Sequence, residues 1–394
     1  MFDIDLALLH SVEAMEFYHA HAHQNIADLL FKYGSDSLKR AWSLQLESRK
    51  RAKNKLPTWY NTNAVVFPLK ANLEQASSEA TATYKASVAP YKTSIDLTGG
   101  TGIDSWKIAE KAQNHVFVES NPELVNLAKH NFKLLGLTNV NFINSTAEDF
   151  LKNSSTVDLI FIDPSRRIAS GKKVLFLEEY SPNVTELQRE LLAHAKHVLI
   201  KVSPIVDITY LIRLFRDSLK EIHVVAVNNE VKEILVLLVQ SWQKPLIKAV
   251  NLTNSKPVIF SFSITDESLA PTFANAISTY VYEPNAAVLK SGGFNSVANN
   301  FNLQKLDKSS HLYTHMDFIP KFPGKCYKVI ETANPYKLKG NYKSLSIISR
   351  NFPDKPEMIK KRLKMKDGNE FRLFATTIAG SKKFIVGKEV SNNQ

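Results

Sequence analysis

With one cysteine, Cys326, in 394 residues, the chain can form no intrachain disulfide and no cysteine-built zinc site. That scarcity points to a reducing compartment, and the cytoplasm is the expected location. No apolar run reaches the length of a membrane span, so no membrane role is expected. The N-terminal MFDIDLALLHSVEAMEF carries acids where a secretory leader carries cations, and no targeting segment is expected there. The sequence has no internal repeat, no low-complexity tract and no cluster that reads as a metal site. It carries no signal of an oligomeric state.

What the chain does have in excess is positive charge, and that charge is localised. The net formal charge is +12, yet residues 321–394 alone carry 17 Lys and Arg against 6 Asp and Glu. An excess confined to one end suggests an anionic partner for that end. Its densest stretch is Lys360, Lys361, Arg362, Lys364 and Lys366, with Tyr327, Tyr336, Tyr342, Phe352 and Phe371 interleaved. Cations give backbone affinity for nucleic acid, and aromatic rings can stack unpaired bases.

The length fits two or three domains. Apolar spacing predicts helices over residues 1–55, broken at Leu56-Pro57, and another over 73–89. From Ser94 to about Gln240, short apolar runs alternate with helix-length segments: Ile95–Leu97, Val116–Val118, Val140–Ile143, Leu159–Ile162 and Val198–Val202. That alternation predicts an α/β fold with five parallel strands. Ile222–Val227 and Ile234–Val239 are joined only by Asn228–Glu233 and read as an antiparallel hairpin at the sheet edge. Residues 120–136 read as a helix, with Ser120 and Glu123 at capping-box spacing and Pro122 in the first turn. Strands are expected at Cys326–Glu331, Ser344–Ser349, Phe371–Ile378 and Lys383–Val386, with a helix at Asp354–Lys364. The boundaries fall at 1–60 (helical), 61–270 (parallel sheet), 271–320 (mixed) and 321–394 (basic, small α+β).

Two strand ends carry the chemistry. Asp96-Leu97-Thr98-Gly99-Gly100-Thr101-Gly102 follows the first strand and precedes a helix, where glycines let the backbone approach a ligand. A dinucleotide fingerprint needs a third glycine, and that position holds Ser105. The loop therefore suits a nucleoside without pyrophosphate. Glu119, at the end of the second strand with Ser120 beside it, can accept both ribose hydroxyls. The fourth strand ends in Asp163-Pro164-Ser165-Arg166-Arg167, at the sheet edge where such folds bind ligands. Asp163 can accept a proton or hydrogen bond from a nucleophile. Arg166 and Arg167 can clamp phosphate or developing negative charge, or else pair with acids such as Glu178 or Glu179. Lys201, Ser203 and Asp207, after the fifth strand, can line the same pocket.

Four stretches, EQASSEATATYKA, DLTGGTGIDS, IDPSRR and EPNAAVLKSGGFNSVA, together with HLYTHMDFIPKFPGKCYKV, give the chain its resemblance to a known group. It resembles bacterial class I S-adenosylmethionine-dependent methyltransferases that carry a ferredoxin-like segment, here 271–320, and a THUMP-like C-terminal domain, here 321–394. The resemblance implies a Rossmann-like sheet of five parallel strands plus the hairpin, with S-adenosylmethionine as cofactor. It implies that the segment holding Ser77 and Ser78 covers the methionine end of the cofactor. It also implies that Ala147 and Glu148 lie at the adenine; Thr146 stands where the group often has Asp. IDPSRR is similar to the Asp-Pro-Pro-Arg motif of several RNA methyltransferases, with Ser165 departing from it. THUMP domains of related enzymes bind RNA, so the implied substrate is tRNA or rRNA, methylated at a nitrogen or oxygen.

Pyrimidine carbon-five chemistry through a cysteine adduct is not expected, because Cys326 falls outside 61–270. Two alternatives stay open. One is a methyltransferase for a small anionic molecule or a protein, its arginines binding the substrate's anion. The other is a non-catalytic RNA-binding protein.

Overall fold

The computed structural model describes residues 5–166, 176–254 and 256–390. The chain folds into two compact units, Met1–Lys220 with Ile234–Gln243, and Glu221–Glu233 with Lys244–Gln394.

In the first unit, β1 (Thr93–Asp96), β2 (Asn114–Glu119), β3 (Val140–Asn144), β4 (Val157–Ile162) and β5 (Ala195–Val202) are parallel and lie in the order β3-β2-β1-β4-β5. Leu159–Ile162 are all buried, as expected of a central parallel strand covered on both faces. The expected hairpin is β6 (Leu219–Val227) and β7 (Glu230–Leu238), turning at Asn228 and Asn229, both at positive φ. β7 runs antiparallel to β5. The hairpin was expected at the sheet edge but does not lie there: β8 (Leu246–Leu252), parallel to β6, and β9 (Val258–Ser263), antiparallel to β8, continue the sheet beyond it, and neither was delineated from sequence. Lys248 and Asn251 interrupt the apolar run of β8, and β9 has a half-exposed face, so neither reads as a buried strand.

Two expected helices start elsewhere. The helix Pro122–Leu134 is capped by Asn121, whose side chain accepts from Glu123 N at 2.9 Å, and not by Ser120. Pro122 occupies the first helical position, and its fixed φ places the cap on the residue before it. The helix expected over 73–89 is two, Lys70–Gln75 and Glu79–Lys85. Between them Ser78 leaves helical geometry to form a capping box with Thr81.

The N-terminal helices Val12–Ala20, Ile26–Lys32 and Ser37–Lys55 bury Phe17, Leu29, Trp42 and Leu46 in one core with Val66 and Leu127. The strand-like segment between this layer and the sheet is held by two buried amides. Gln45 exchanges two hydrogen bonds with the backbone of Phe67, at 2.8 and 3.0 Å. Asn131 does the same with Val66, at 3.0 and 2.8 Å.

In the second unit, a seven-stranded sheet is built from β10 (Tyr280–Pro284), β11 (Gln304–Lys305), β12 (Tyr313–His315), β13 (Gly324–Ala333), β14 (Ser346–Ser349), β15 (Arg372–Ile378) and β16 (Ser381–Val390). Their order is β11-β12-β10-β13-β16-β15-β14, antiparallel except for the β14–β15 pair. The helix Pro356–Leu363 lies where 354–364 was expected. Glu283, 7% exposed, accepts from Arg350 at 3.0 Å and Arg372 at 2.7 Å, tying β10 to residues of the last half of the sheet. Among the described residues no helix is long and apolar enough to cross a membrane, and no three His, Cys, Asp or Glu side chains gather as a metal site.

Asn131 is fully buried, so Asn131→Ala strands the N–H and C=O of Val66 without partners. The expected loss is about 3 kcal/mol of unfolding free energy, read from urea denaturation. Asn131→Asp, which retains the acceptor for Val66 N, should lose less at low pH than at high pH.

Candidate active site

The glycine loop rises from β1 and is fixed by its own carboxylate. Asp96, 1% exposed, accepts from Thr98 N at 2.9 Å and from Ser105 Oγ at 2.5 Å. Thr98 Oγ1 in turn accepts from Asp163 N at 2.7 Å, joining the ends of β1 and β4. Glu119 holds the far side: one oxygen accepts from Gly100 N at 2.8 Å, the other from Asn121 N at 2.8 Å and Ser120 Oγ at 3.3 Å. A carboxylate has about four lone-pair directions, so with three taken Glu119 retains capacity for one ligand hydroxyl. Gly100 and Gly102 have φ of +53° and +84°, a region that favours glycine. Gly99 is required for another reason, since a Cβ there would stand 2.3 Å from the Phe117 ring. Only part of the glycine pattern therefore serves ligand approach.

Behind the loop runs a buried hydrogen-bond chain that was not anticipated from sequence. Ser94 Oγ contacts His115 Nδ1 at 2.9 Å, and His115 Nε2 contacts Ser105 Oγ at 3.2 Å. Ser105 Oγ donates to Asp96. Burial pushes the His115 pKa down to about 3, so the ring is neutral. With Ser105 donating to Asp96, the one consistent assignment puts the His115 proton on Nε2 and the Ser94 proton towards Nδ1. Every donor in the chain then points at Asp96. Ser105, the residue in place of the third glycine, is what connects them.

Burial raises the Asp96 pKa to about 7 against the opposing hydrogen bonds from Ser105 and Thr98, and the charges of Asp104 and Asp163 add to the rise. A cleft of about 310 Å³ opens in front of it, lined by Asn72, Gln75, Ser77, Asp104, Asp163 and Lys201 among others. Asp163 and Lys201 form an ion pair at 2.5 Å across the ends of β4 and β5. Three carboxylates on one cleft suit a ligand that carries positive charge, and a sulfonium with an α-ammonium group is such a ligand.

The expected site residues divide as follows. Asp96, Thr98, Gly99, Gly100, Thr101, Ser77, Asp163 and Lys201 line this cleft, as does Ser165. Gly102 stands at the start of the helix Ile103–Ala109. Pro164 is buried beside Asp163. Ser78 is occupied as a helix cap and does not line the cleft. Ala147 and Glu148 open the helix after β3, capped by Thr146, and are not among these lining residues. Asp207 caps the helix Ile208–Phe215, and Glu178 accepts from Tyr210 OH at 2.7 Å. Arg167 and the Arg166 side chain lie outside the described residues.

The basic unit differs from expectation in its aromatics. Tyr327 is 1% exposed and packs on Phe374. Tyr336, Tyr342, Phe352 and Phe371 pack against the core of Leu345, Ile359, Leu373 and Phe384. Tyr327 is thus spent on packing, and the other four are half-buried, with only part of each ring left to solvent. The cations Lys361, Arg362, Lys364 and Lys366 remain exposed. Cys326 is buried, and burial pushes its thiol up to about 11, which removes it as a nucleophile at neutral pH.

A raised carboxylate pKa favours the neutral acid below about 7, and a cationic ligand favours the ionised form. The stability this group contributes is full below its ordinary range and is lost as pH rises through 7. Binding of S-adenosylmethionine, measured by calorimetry, should therefore tighten from pH 5.5 to 8, by up to about tenfold per unit below 7. Asp96→Asn should weaken binding and flatten that dependence; a profile unchanged by the substitution counts against the assignment.

A model of a methyltransferase domain matches residues 90–234, a ferredoxin-like domain matches 280–323, and a THUMP-like domain matches 324–389. A crystal structure from Porphyromonas gingivalis W83, assigned as a methyltransferase, covers 99% of this chain and 100% of its own at 30% identity, with a TM-score of 0.87. A Methanobrevibacter smithii protein assigned as a cobalt-precorrin-6B C(15)-methyltransferase (decarboxylating) is 29% identical over 85 residues, 21% of this chain and 46% of that protein. An uncharacterized RNA methyltransferase of Enterococcus faecalis is 30% identical over 119 residues, 27% of this chain and 26% of its own length. The chain thus spans less than half the length of these two curated relatives. Matched from end to end by the Porphyromonas structure, and carrying the glycine-loop cleft on its parallel sheet, the chain belongs to the methyltransferase family and is S-adenosylmethionine-dependent by that membership.

Proposed function

We propose that the protein methylates a nitrogen or oxygen atom of structured RNA, tRNA or rRNA, in the cytoplasm. The observation that carries this reading is the set of exposed cations Lys361, Arg362, Lys364 and Lys366 on the domain that matches the THUMP-like model. The similarity to an RNA methyltransferase over 119 residues supports it. In this reading 61–270 is the catalytic domain, 271–320 connects, and 321–394 holds RNA through its phosphates. The residues proposed for the cofactor are those of the glycine loop, Glu119, Ser120, Ser77, Ala147 and Glu148, with Ser78 serving as the helix cap beside Ser77.

S-adenosylmethionine supplies a methyl group already activated on sulfonium, so the protein's own task is placement. Asp163 is held by its backbone N–H on Thr98 and by Lys201 on its side chain. The carboxylate so held can accept a hydrogen bond from the incoming N–H or O–H and orient its lone pair. Pro164 fixes the turn that carries Asp163, and Arg166 and Arg167 are proposed to hold substrate phosphate.

Filter binding with a structured tRNA or rRNA fragment should show affinity that falls with salt. Replacing Lys360, Lys361, Lys364 and Lys366 by Gln should weaken it about tenfold or more and flatten the salt slope. Absence of salt-dependent binding at low ionic strength would sink the RNA reading. Asp163→Asn should lower kcat on the methylated RNA by about 10²-fold while calorimetry still finds the cofactor bound.

A further inference from the structure

The EQASSEATATYKA segment contains a charged residue for which the reaction site has no use. Lys85 ends the helix Glu79–Lys85 and is 0% exposed. Its ammonium reaches Ser77 Oγ at 3.0 Å and Asp104 Oδ1 at 3.2 Å. Ser77 Oγ donates to Asp104 Oδ2 at 2.8 Å. The three groups close a ring: Lys85 donates to the hydroxyl, the hydroxyl donates to Asp104 Oδ2, and the ammonium stands in an ion pair with Asp104 Oδ1. Lys85 stands behind that ring, while Ser77 and Asp104 face the cleft.

Two chain segments meet there. Ser77 belongs to the short link between the helices Lys70–Gln75 and Glu79–Lys85, and Asp104 lies in the first turn of the helix that follows the glycine loop. Burying an ammonium is costly, and replacing a buried ion pair by apolar side chains of similar volume is often neutral or stabilising. Packing alone therefore does not account for a lysine at this position. What Lys85 does that an apolar residue would not is to orient the Ser77 hydroxyl and neutralise one of the three cleft carboxylates.

The location says which part of the ligand that wall meets. Glu119, which suits a ribose hydroxyl, lies at the end of β2 and outside this cleft. The Asp163–Lys201 pair marks the reacting side. The amide and carboxylate wall of Asn72, Gln75, Ser77 and Asp104 is left for the polar, zwitterionic end of the molecule. We propose that Lys85 is a positioning residue that fixes the Ser77–Asp104 pair as the receptor for the amino-acid end of the cofactor. The inference rests on the S-adenosylmethionine reading of the cleft and is independent of the substrate.

Two ligands separate this role from general stability. S-adenosylhomocysteine carries the amino-acid end, and 5′-methylthioadenosine lacks it. Calorimetry on the full chain, with Lys85→Met and Ser77→Ala, should show S-adenosylhomocysteine weakened tenfold or more and 5′-methylthioadenosine changed by less than about twofold. Thermal melts of the variants report folding. If Lys85→Met does not fold, Ser77→Ala carries the test, since it removes the oriented hydroxyl and leaves the ion pair. Equal losses for both ligands, or no loss for either, overturn the proposal. If the unaltered protein binds S-adenosylhomocysteine nowhere, the cofactor reading itself falls. A tight unaltered protein with indiscriminate variants refutes only the role of Lys85.

Discussion

The burial of the Asp96 carboxylate is the constraint on which the rest of the site depends. A carboxylate with 1% exposure is tolerable only if it is hydrogen-bonded or neutral, and here both hold in part. Ser105 and Thr98 donate to it, and burial still raises its pKa to about 7. Satisfying Asp96 shapes its neighbours. It turns the chain at Thr98, which then receives Asp163 N from β4. It recruits Ser105, and through Ser105 a neutral His115 and Ser94. The glycine loop and the end of β4 are thus set by the demands of one buried acid.

The same principle operates at a distance from the cleft. Buried amides of Gln45 and Asn131 satisfy the backbone of 66–67 and so tie the N-terminal helices to the sheet layer. Buried Lys85 is satisfied by Asp104 and Ser77, and buried Glu283 by two arginines. In each case the polar group lies where two segments distant in sequence must hold a fixed relation. An apolar contact would permit sliding, whereas a hydrogen-bonded one specifies position.

The parallel strands were legible because period and length survive in the primary order: each apolar run of three to five residues is flanked by a helix-length segment. The hairpin was legible from its short polar turn. β8 and β9 were not, since their runs are broken by polar residues and their burial depends on which strands they join. The helix start at Pro122 was misplaced by one residue, because two adjacent residues, Ser120 and Asn121, both make good caps and only backbone geometry decides between them. The basic character of 321–394 was plain from composition. That Tyr327 is inside was not, since a ring on a strand reads the same from either face until the sheet forms.

The sequence by itself determined the fold class, the glycine loop, the acids at the ends of β2 and β4, and the charge at the C-terminal end. These are local features, fixed by spacing along the chain. Tertiary structure alone decided that Ser105 and His115 serve Asp96, that Lys201 pairs with Asp163, and that Ser77, Lys85 and Asp104 form one buried ring. The physical reason is separation. Each of these contacts joins residues from 8 to 38 positions apart in the chain. No periodicity records such a meeting, which exists only because the parallel sheet brings its strand ends to one edge.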